Sequence, residues 1–245
     1  MFYNKSFCCF HMEETNKLNV LAIFAHPDDE VGAIGTLLNH IEEGDNVDIL
    51  LLTRGENASS FSGTKEEIAK IREKQAKKIE NELGLRYHFF DIPDSSVFPS
   101  IENAKKVASF IKKHQPDVII TWGQSVQIGV GHPDHRYTHS IVLDAISYAR
   151  YKNEEDQYPP YRRRISLYTP FHADNVILPS TWFVDITKQY DKIMKFFDFY
   201  EGAYGVWAVR DYKLSSMKLF GRLCDAEYAE AFTKHLWRKA SKKLE

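Results

Sequence analysis

The sequence has no excess of basic residues and few cysteines. Its 32 Lys and Arg residues are balanced by 34 Asp and Glu residues, for a formal net charge of -2. Proteins that bind nucleic acid need a basic surface to neutralise phosphates, so a nucleic-acid partner is not expected. Cys8, Cys9 and Cys224 form an odd set with two adjacent members. We therefore expect free thiols in a reducing compartment rather than a disulfide framework.

Long apolar runs are also absent. The most apolar stretch near the start, residues 18–25, is interrupted by Asn19 and is far shorter than the roughly 20 residues of a membrane helix. Residues 1–17 lack the apolar length of a secretory signal. The sequence thus predicts a cytoplasmic protein with no membrane attachment. Residues 1–17 are interpreted as an N-terminal arm that could pack on a neighbouring subunit of a homo-oligomer.

The composition of the 245 residues, 43% hydrophobic and 27% charged, is typical of a soluble globular chain. No repeat or linker divides it, so we predict a single domain over residues 1–245. Short apolar runs alternate with helical patterns, which predicts an α/β fold: a Rossmann-like, doubly wound, mostly parallel sheet with helices on both faces. Strands are predicted at 20–25, 47–53, 87–92, 118–122, 166–169 and 181–186. Helices are predicted at 31–43, 64–84, 101–114, 134–149, 188–201 and 225–243, with an exposed loop at 54–63.

The first informative cluster follows the first predicted strand, where residues 26–30 spell His-Pro-Asp-Asp-Glu. Acidic side chains at this point could simply complement the positive end of the next helix dipole, an effect of about 0.3–1 kcal/mol each. That interpretation leaves His26 unexplained. Three consecutive acids beside an imidazole favour a chemical role.

A second cluster, His132, Asp134 and His135, follows the fourth predicted strand. Alone, it could be a capped helix start with incidental surface histidines. In a doubly wound sheet, however, the first and fourth strands are often neighbours, and ligands bind beyond their carboxyl ends. Both clusters are predicted to lie there, close to each other.

Imidazoles with a carboxylate, too few to close a tetrahedron, are typical of a catalytic zinc site with a position left for water. A metal held there would lower the pKa of its water towards ~7, and a neighbouring carboxylate outside the ligand set could take the proton. Asp28 and Asp29 are adjacent and can divide those two roles.

The paired clusters resemble the LmbE/PIG-L family of zinc-dependent N-acetylglucosaminide deacetylases. The resemblance extends over roughly residues 19–232 and includes Thr-Arg-Gly-Glu at 53–56 and Tyr-Ala-Glu-Ala-Phe at 228–232. It implies that Zn²⁺ is bound by His26, Asp29 and His135. It also implies that Asp28 is the general base that activates water.

The same resemblance implies roles for three further residues. His132 would stabilise the oxyanion or act as an acid, and Asp134 would orient an imidazole from behind the ligands. Arg54 would reach the sugar or its aglycone. The alternative for Arg54 is a surface arginine in the loop 54–63.

The implied function is hydrolysis of the N-acetyl group of a small-molecule N-acetylglucosamine derivative, which releases acetate and a free amine. The alternative is a zinc amidase that acts on a non-sugar or larger-acyl amide. Many relatives carry His-x-Ser-Gln where residues 200–207 of this chain read Tyr-Glu-Gly-Ala-Tyr-Gly-Val-Trp, which leaves the substrate open. The roles of that segment and of His172, the choice between zinc and iron, and the oligomeric state are open too.

Overall fold

A computed structural model describes residues 17–123, 131–153, 156–170 and 181–235. Within them a seven-stranded sheet has the order β3-β2-β1-β4-β5-β7-β6. Its strands are β1 (Asn19–Phe24), β2 (Asn46–Leu51), β3 (Arg86–Phe89), β4 (Val118–Thr121), β5 (Ser166–Pro170), β6 (Thr181–Asp185) and β7 (Ala229–His235). The first five strands in this sheet order, β3, β2, β1, β4 and β5, pair in parallel. β7 is antiparallel to both β5 and β6.

Helices cover both faces of this sheet: α1 (Ile34–Glu42), α2 (Lys65–Leu83), α3 (Ile101–His114), α4 (Pro133–Tyr148), α5 (Tyr190–Tyr204) and α6 (Ala208–Leu223). Side chains of β1 alternate between the two faces. Ala22 and Phe24 belong to one buried cluster with residues of α1, α2 and α5. Leu21 and Ile23 belong to another with residues of α3 and α4. A strand that is apolar on both faces is typical of a doubly wound sheet, and the predicted fold class is confirmed.

Local sequence signals explain several helix ends. Thr64 caps α2 and forms a capping box with Glu67, which satisfies two free N–H groups. Gly84 ends α2 in the left-handed conformation. α3 has the predicted bounds, and Ser100 caps it. The predicted helix at 31–43 is divided, because a 3₁₀ turn, Asp29–Gly32, precedes α1.

Near the carboxyl end the prediction is wrong. Where a helix is predicted at 225–243, the structure has β7, and α6, for which no helix was predicted, ends before that range at Leu223; residues 236–243 lie outside the described part. The segment Ala-Glu-Ala in β7 favours a helix by local propensity. It pairs with β6 instead, because Ala229 and Ala231 are buried there, and tertiary packing outweighs weak propensity.

The loop 54–63 is also less exposed at its start than predicted. Gly55 is buried and has a φ of +68, with Pro27 Cδ 2.8 Å from where a Cβ would lie. The loop therefore begins against the first cluster. In the described part of the chain, no helix is long and apolar enough to span a membrane. The single domain over residues 1–245 stays a prediction, and residues 1–16 of the proposed arm lie outside the described residues.

Candidate metal-dependent active site

The two clusters meet at the carboxyl ends of β1 and β4, which are neighbours as predicted. His26 and Asp29 lie in the turn after β1. His132 is the N-cap of α4, and Pro133 occupies its first turn. Proline is favoured there because the first N–H groups of a helix have no intrahelical partner. The ring centroid of His26 lies 4.8 Å from that of His132 and 5.5 Å from that of His135.

His26, Asp29 and His135 offer ligand atoms that all lie within 4.8 Å of one another. Asp29 Oδ1 is 3.1 Å from His135 Nε2, and Asp29 Oδ2 is 3.6 Å from His26 Nδ1. The second oxygen also accepts hydrogen bonds from the backbone N–H groups of Ala25 and His26 and from Trp122 Nε1. Three donors thus fix the carboxylate and leave Oδ1 on the side of His135.

The other nitrogen of His26 faces two more carboxylates. Its Nε2 lies 3.1 Å from Asp134 Oδ2 and 3.3 Å from Asp94 Oδ1. Burial lowers the pKa of His26, but the hydrogen bonds to Asp134, Asp29 and Asp94 outweigh it and raise the pKa to about 12. Metal-bound histidines commonly donate their second N–H to a carboxylate, which is the arrangement around Nε2.

The donor set fits a divalent cation. Two imidazoles and a carboxylate are ligands that zinc prefers, with a coordination position left open. Burial alone would raise the pKa of Asp29, but His135 and His26 hold it well below its ordinary value, so the carboxylate is ionised as a ligand must be. His26, His132 and Asp134 form a second such group. Asp134 Oδ2, however, already accepts hydrogen bonds from Ser95 N and His26.

Asp28 lies beside the donor set in a strained backbone conformation, with a φ of 96. One carboxylate oxygen, Oδ2, accepts a hydrogen bond of 2.7 Å from the Tyr204 hydroxyl and lies 3.2 Å from Arg72 Nη2. Burial raises the pKa of Asp28 to about 6, although the Arg72 charge lowers it. A carboxylate with a pKa near neutrality suits proton transfer.

His132 is 40% exposed and lines the cavity at this end of the sheet. Its Nδ1 accepts a hydrogen bond from the Asp134 backbone N–H. Burial and the nearby His26 lower the pKa of His132, so the ring is neutral. An accepting Nδ1 assigns the proton of a neutral imidazole to Nε2, which makes Nε2 a hydrogen-bond donor.

Arg54 turns to α2. Its Nε is 2.7 Å from Glu73 Oε1 and its Nη1 is 2.8 Å from Glu66 Oε2. Arg54 is absent from the described lining of the cavity, whereas Arg72 is part of it. Substrate contact by Arg54 stays a prediction.

The cavity has a volume of about 780 Å³. Beyond the His and Asp residues, apolar and aromatic side chains line it, among them Val31, Trp122, Pro170, Trp207 and Phe220. The segment 200–207 reaches the site through Trp207, which lines the cavity, and through Tyr204, which donates to Asp28. Tyr200 is fully buried. His172 lies outside the described residues.

Sequence reasoning missed Arg72 and Asp94, and it left Tyr204 within the segment 200–207 without a role. One signal could have found Arg72, a charged residue on the apolar face of α2, four residues after Ile68 and four before Ala76. It is 2% exposed and also donates to the Pro27 carbonyl. Asp94 and Tyr204 have no local signal, because only the fold brings them to the cluster.

The chain is similar to proteins of one known family. The PIG-L family, described as GlcNAc-PI de-N-acetylase, matches residues 21–146, a range that contains both clusters. The chain belongs to this family, and the family predicted from the motifs is confirmed.

Individual relatives extend the likeness. A diacetylchitobiose deacetylase of Thermococcus kodakarensis is 31% identical over 139 residues, 55% of this chain and 51% of the relative. A mycothiol S-conjugate amidase of Streptomyces coelicolor is 27% identical over 169 residues, 59% of this chain and 56% of the relative. The chain thus spans little more than half the length of these relatives. The crystal structure of a conserved protein of Thermus thermophilus superposes with a TM-score of 0.76 at 26% identity, covering 91% of this chain and 100% of that one.

Proposed function

We propose that this protein hydrolyses the N-acetyl group of an N-acetylglucosamine derivative with the help of Zn²⁺, releasing acetate and a free amine. The observation that carries the proposal is the position of Asp28. Its carboxylate is held by Arg72 and Tyr204 directly beside the donor set of Asp29 and the histidines.

His26, Asp29 and His135 would hold the metal through His26 Nδ1, Asp29 Oδ1 and His135 Nε2. A divalent cation in this position supplies Lewis-acid chemistry, because it polarises a carbonyl and lowers the pKa of water. Asp94 and Asp134 keep the His26 ring in place through Nε2. Two imidazoles and a carboxylate can hold iron as well as zinc, and zinc is proposed because a hydrolysis needs a Lewis acid and no redox chemistry.

Asp28 takes a proton from water as the water oxygen forms a bond to the acetyl carbon. The carbonyl oxygen then carries the negative charge, and His132 Nε2–H donates a hydrogen bond to it. When the C–N bond breaks, the proton held by Asp28 passes to the departing nitrogen. The immediate products are acetic acid and the amine, and transfer of the acid's proton to the amine gives acetate and an ammonium group. The base returns to its ionised starting state.

A second candidate, an amidase that removes a larger acyl group or acts on a non-sugar amide, is supported by the Streptomyces relative, itself named an amidase. The cavity of about 780 Å³ has room for more than a monosaccharide with its acetyl group. The two functions share every step at the carbonyl and differ only in what fills the cavity.

The test is release of the free amine by the zinc-loaded protein from N-acetylglucosamine, diacetylchitobiose and N-acetylglucosaminyl malate, with N-hexanoylglucosamine as the probe for larger acyl groups. Asp28→Asn should reduce turnover by about 10²-fold or more, because the general base is lost. The matched control is Asp91→Asn, an exposed aspartate that does not line the cavity, which should leave turnover unchanged. Equal turnover by Asp28→Asn and the wild type would reject the proposed base.

A further inference from the structure

Glu30 is a buried carboxylate that the proposed reaction does not use. It is the last acid of the first cluster, its exposure is 0%, and it is absent from the described lining of the cavity. A carboxylate this deep in a protein is costly unless its oxygens accept hydrogen bonds. Its partners therefore indicate what it does.

Three donors satisfy Glu30. Oε1 accepts hydrogen bonds from the Tyr87 hydroxyl at 2.8 Å and the Tyr200 hydroxyl at 2.7 Å. Oε2 accepts a hydrogen bond from the backbone N–H of Asp28 at 2.9 Å. The carboxylate thus joins β3 and α5 to the one residue of the turn that carries the proposed base.

Asp28 needs such a restraint. With a φ of 96 it occupies a backbone region that residues other than glycine rarely adopt. Strained conformations of this kind persist only when the surrounding structure over-determines them. The peptide N–H of Asp28 is held by Glu30, and its Oδ2 by Tyr204 and Arg72. Among the described residues, none donates a hydrogen bond to Asp28 Oδ1.

We propose that Glu30, anchored by Tyr87 and Tyr200, is a positioning residue that holds the Asp28 backbone in its strained conformation and so directs the base. The inference rests on the proposed function for its kinetic consequence, but its structural consequence is independent. Helix α5 then acts on Asp28 twice: Tyr204 touches the carboxylate, and Tyr200, one turn earlier, acts through Glu30. The rings of these tyrosines are nearly parallel, with centroids 5.8 Å apart.

The principal variant is Glu30→Met, which keeps the length of the side chain and removes every acceptor. We expect kcat to fall by about 10²-fold, as for a misplaced catalytic group, with KM and the metal content per chain unchanged. Glu30→Gln keeps an oxygen for the Asp28 N–H and can donate to the tyrosine oxygens, so it should recover most of the lost kcat. A loss of kcat and metal together would mean that Glu30 only supports the fold, and it would overturn the proposal.

Coupling to the base gives a sharper test. In an Asp28→Asn background, Glu30→Met should lower the residual rate by less than about threefold, because residues that act as a unit are not additive. A full additional loss of about 10²-fold in that background would show that Glu30 acts independently of Asp28.

Two matched tyrosine variants keep the proposal testable if Glu30→Met does not fold. Tyr200→Phe removes one donor to Glu30, and Tyr161→Phe removes a buried hydroxyl that donates to the carbonyls of Gln115 and Pro116. Both should lower Tm by similar amounts. Only Tyr200→Phe should lower kcat, by about tenfold for a hydrogen bond to a charged group. Equal kcat values for the two variants would contradict the proposal.

Crystal structures of the wild type and Glu30→Met separate this inference from the proposed function. The wild type should show Asp28 with positive φ and the variant should show it relaxed to negative φ, whether or not an amide is cleaved. An unchanged Asp28 conformation in the variant would refute the positioning role even in an active deacetylase. Relaxed Asp28 in a protein without amidohydrolase activity would keep the role and reject the proposed reaction.

Discussion

Asp94 offers the most informative perturbation of the proposed metal centre, because no sequence motif pointed to it. It shares His26 Nε2 with Asp134, at 3.3 Å and 3.1 Å. Its other oxygen, Oδ2, accepts a hydrogen bond from the Asn57 backbone N–H. In Asp94→Asn the single remaining oxygen stays with Asn57, and the amide NH₂ group faces His26. A hydrogen-bond acceptor at Nε2 is thereby replaced by a donor.

The expected loss of metal affinity follows from the presence of two carboxylates at His26 Nε2. Removing a partner behind a metal-bound histidine typically costs 10- to 100-fold in metal affinity. Since Asp134 remains, we expect about a tenfold loss for Asp94→Asn, or about 1.4 kcal/mol. Asp134→Asn keeps an oxygen that can accept from both Ser95 and His26, so it should lose less. The double variant should lose about 100-fold, because Nε2–H then has no carboxylate.

The assay is competition for Zn²⁺ with a chromophoric chelator, read as a dissociation constant for each variant. Asp91→Asn is the matched control, since Asp91 is exposed and lies on the same connection after β3. Excess Zn²⁺ should raise the Tm of the wild type more than that of Asp94→Asn, because binding stabilises by mass action. Two results would refute the assignment of His26 Nδ1 as the ligand atom and of Asp94 and Asp134 as acceptors from Nε2–H. One is wild-type zinc affinity in Asp94→Asn, and the other is an equal loss of affinity in Asp91→Asn.

Three further predictions concern the base, the fold and its pH dependence. Tyr204→Phe removes a hydrogen bond to Asp28 Oδ2 and should lower kcat about tenfold with metal content unchanged; an unchanged kcat would speak against it. Gly35→Ala places a Cβ 2.7 Å from Ile186 atoms and should cost about 1–3 kcal/mol in urea unfolding, whereas a neutral result would show that α1 and Ile186 separate easily. Despite burial, two histidines and an arginine hold the pKa of Asp48 far below its ordinary value, so its stabilisation is present above about pH 4 and is lost as the pH falls further. In the metal-free protein, Asp48→Asn should therefore lose about 1–3 kcal/mol at pH 7, and this difference from wild type should shrink below pH 4; a constant difference down to pH 3 would be inconsistent with that shift.

Local patterns were sufficient for most of the parallel part of the fold. The strand β1 has a strong signal, the apolar run after Asn19. The helix α3 has another, an amphipathic stretch that follows the Ser100 cap. Of the antiparallel strands, β6 was predicted, but β7 was missed because its Glu230 is buried against Lys213, with Oε1 2.7 Å from Nζ. A polar residue whose partner lies on another element cannot be recognised as buried from its neighbours in sequence.

The same limit applies to the site. His26, Asp29 and His135 were predicted to meet because their clusters follow strands that the topology makes adjacent, and the structure brings them together. Their roles as ligands stay a prediction. Asp94 and Tyr204 could not be predicted, since each depends on a contact between distant segments. Such residues surround the two motifs and set their electrostatics.

The central claim is that the site cleaves an amide only when it holds one metal ion. The direct measurement titrates metal-free protein with Zn²⁺ and follows acetate released from the best of the acetamido sugars. Acetate release should start from zero, rise with added metal and stop rising at one equivalent per chain. Full turnover before any metal is added, or no turnover with one equivalent bound, would contradict the account.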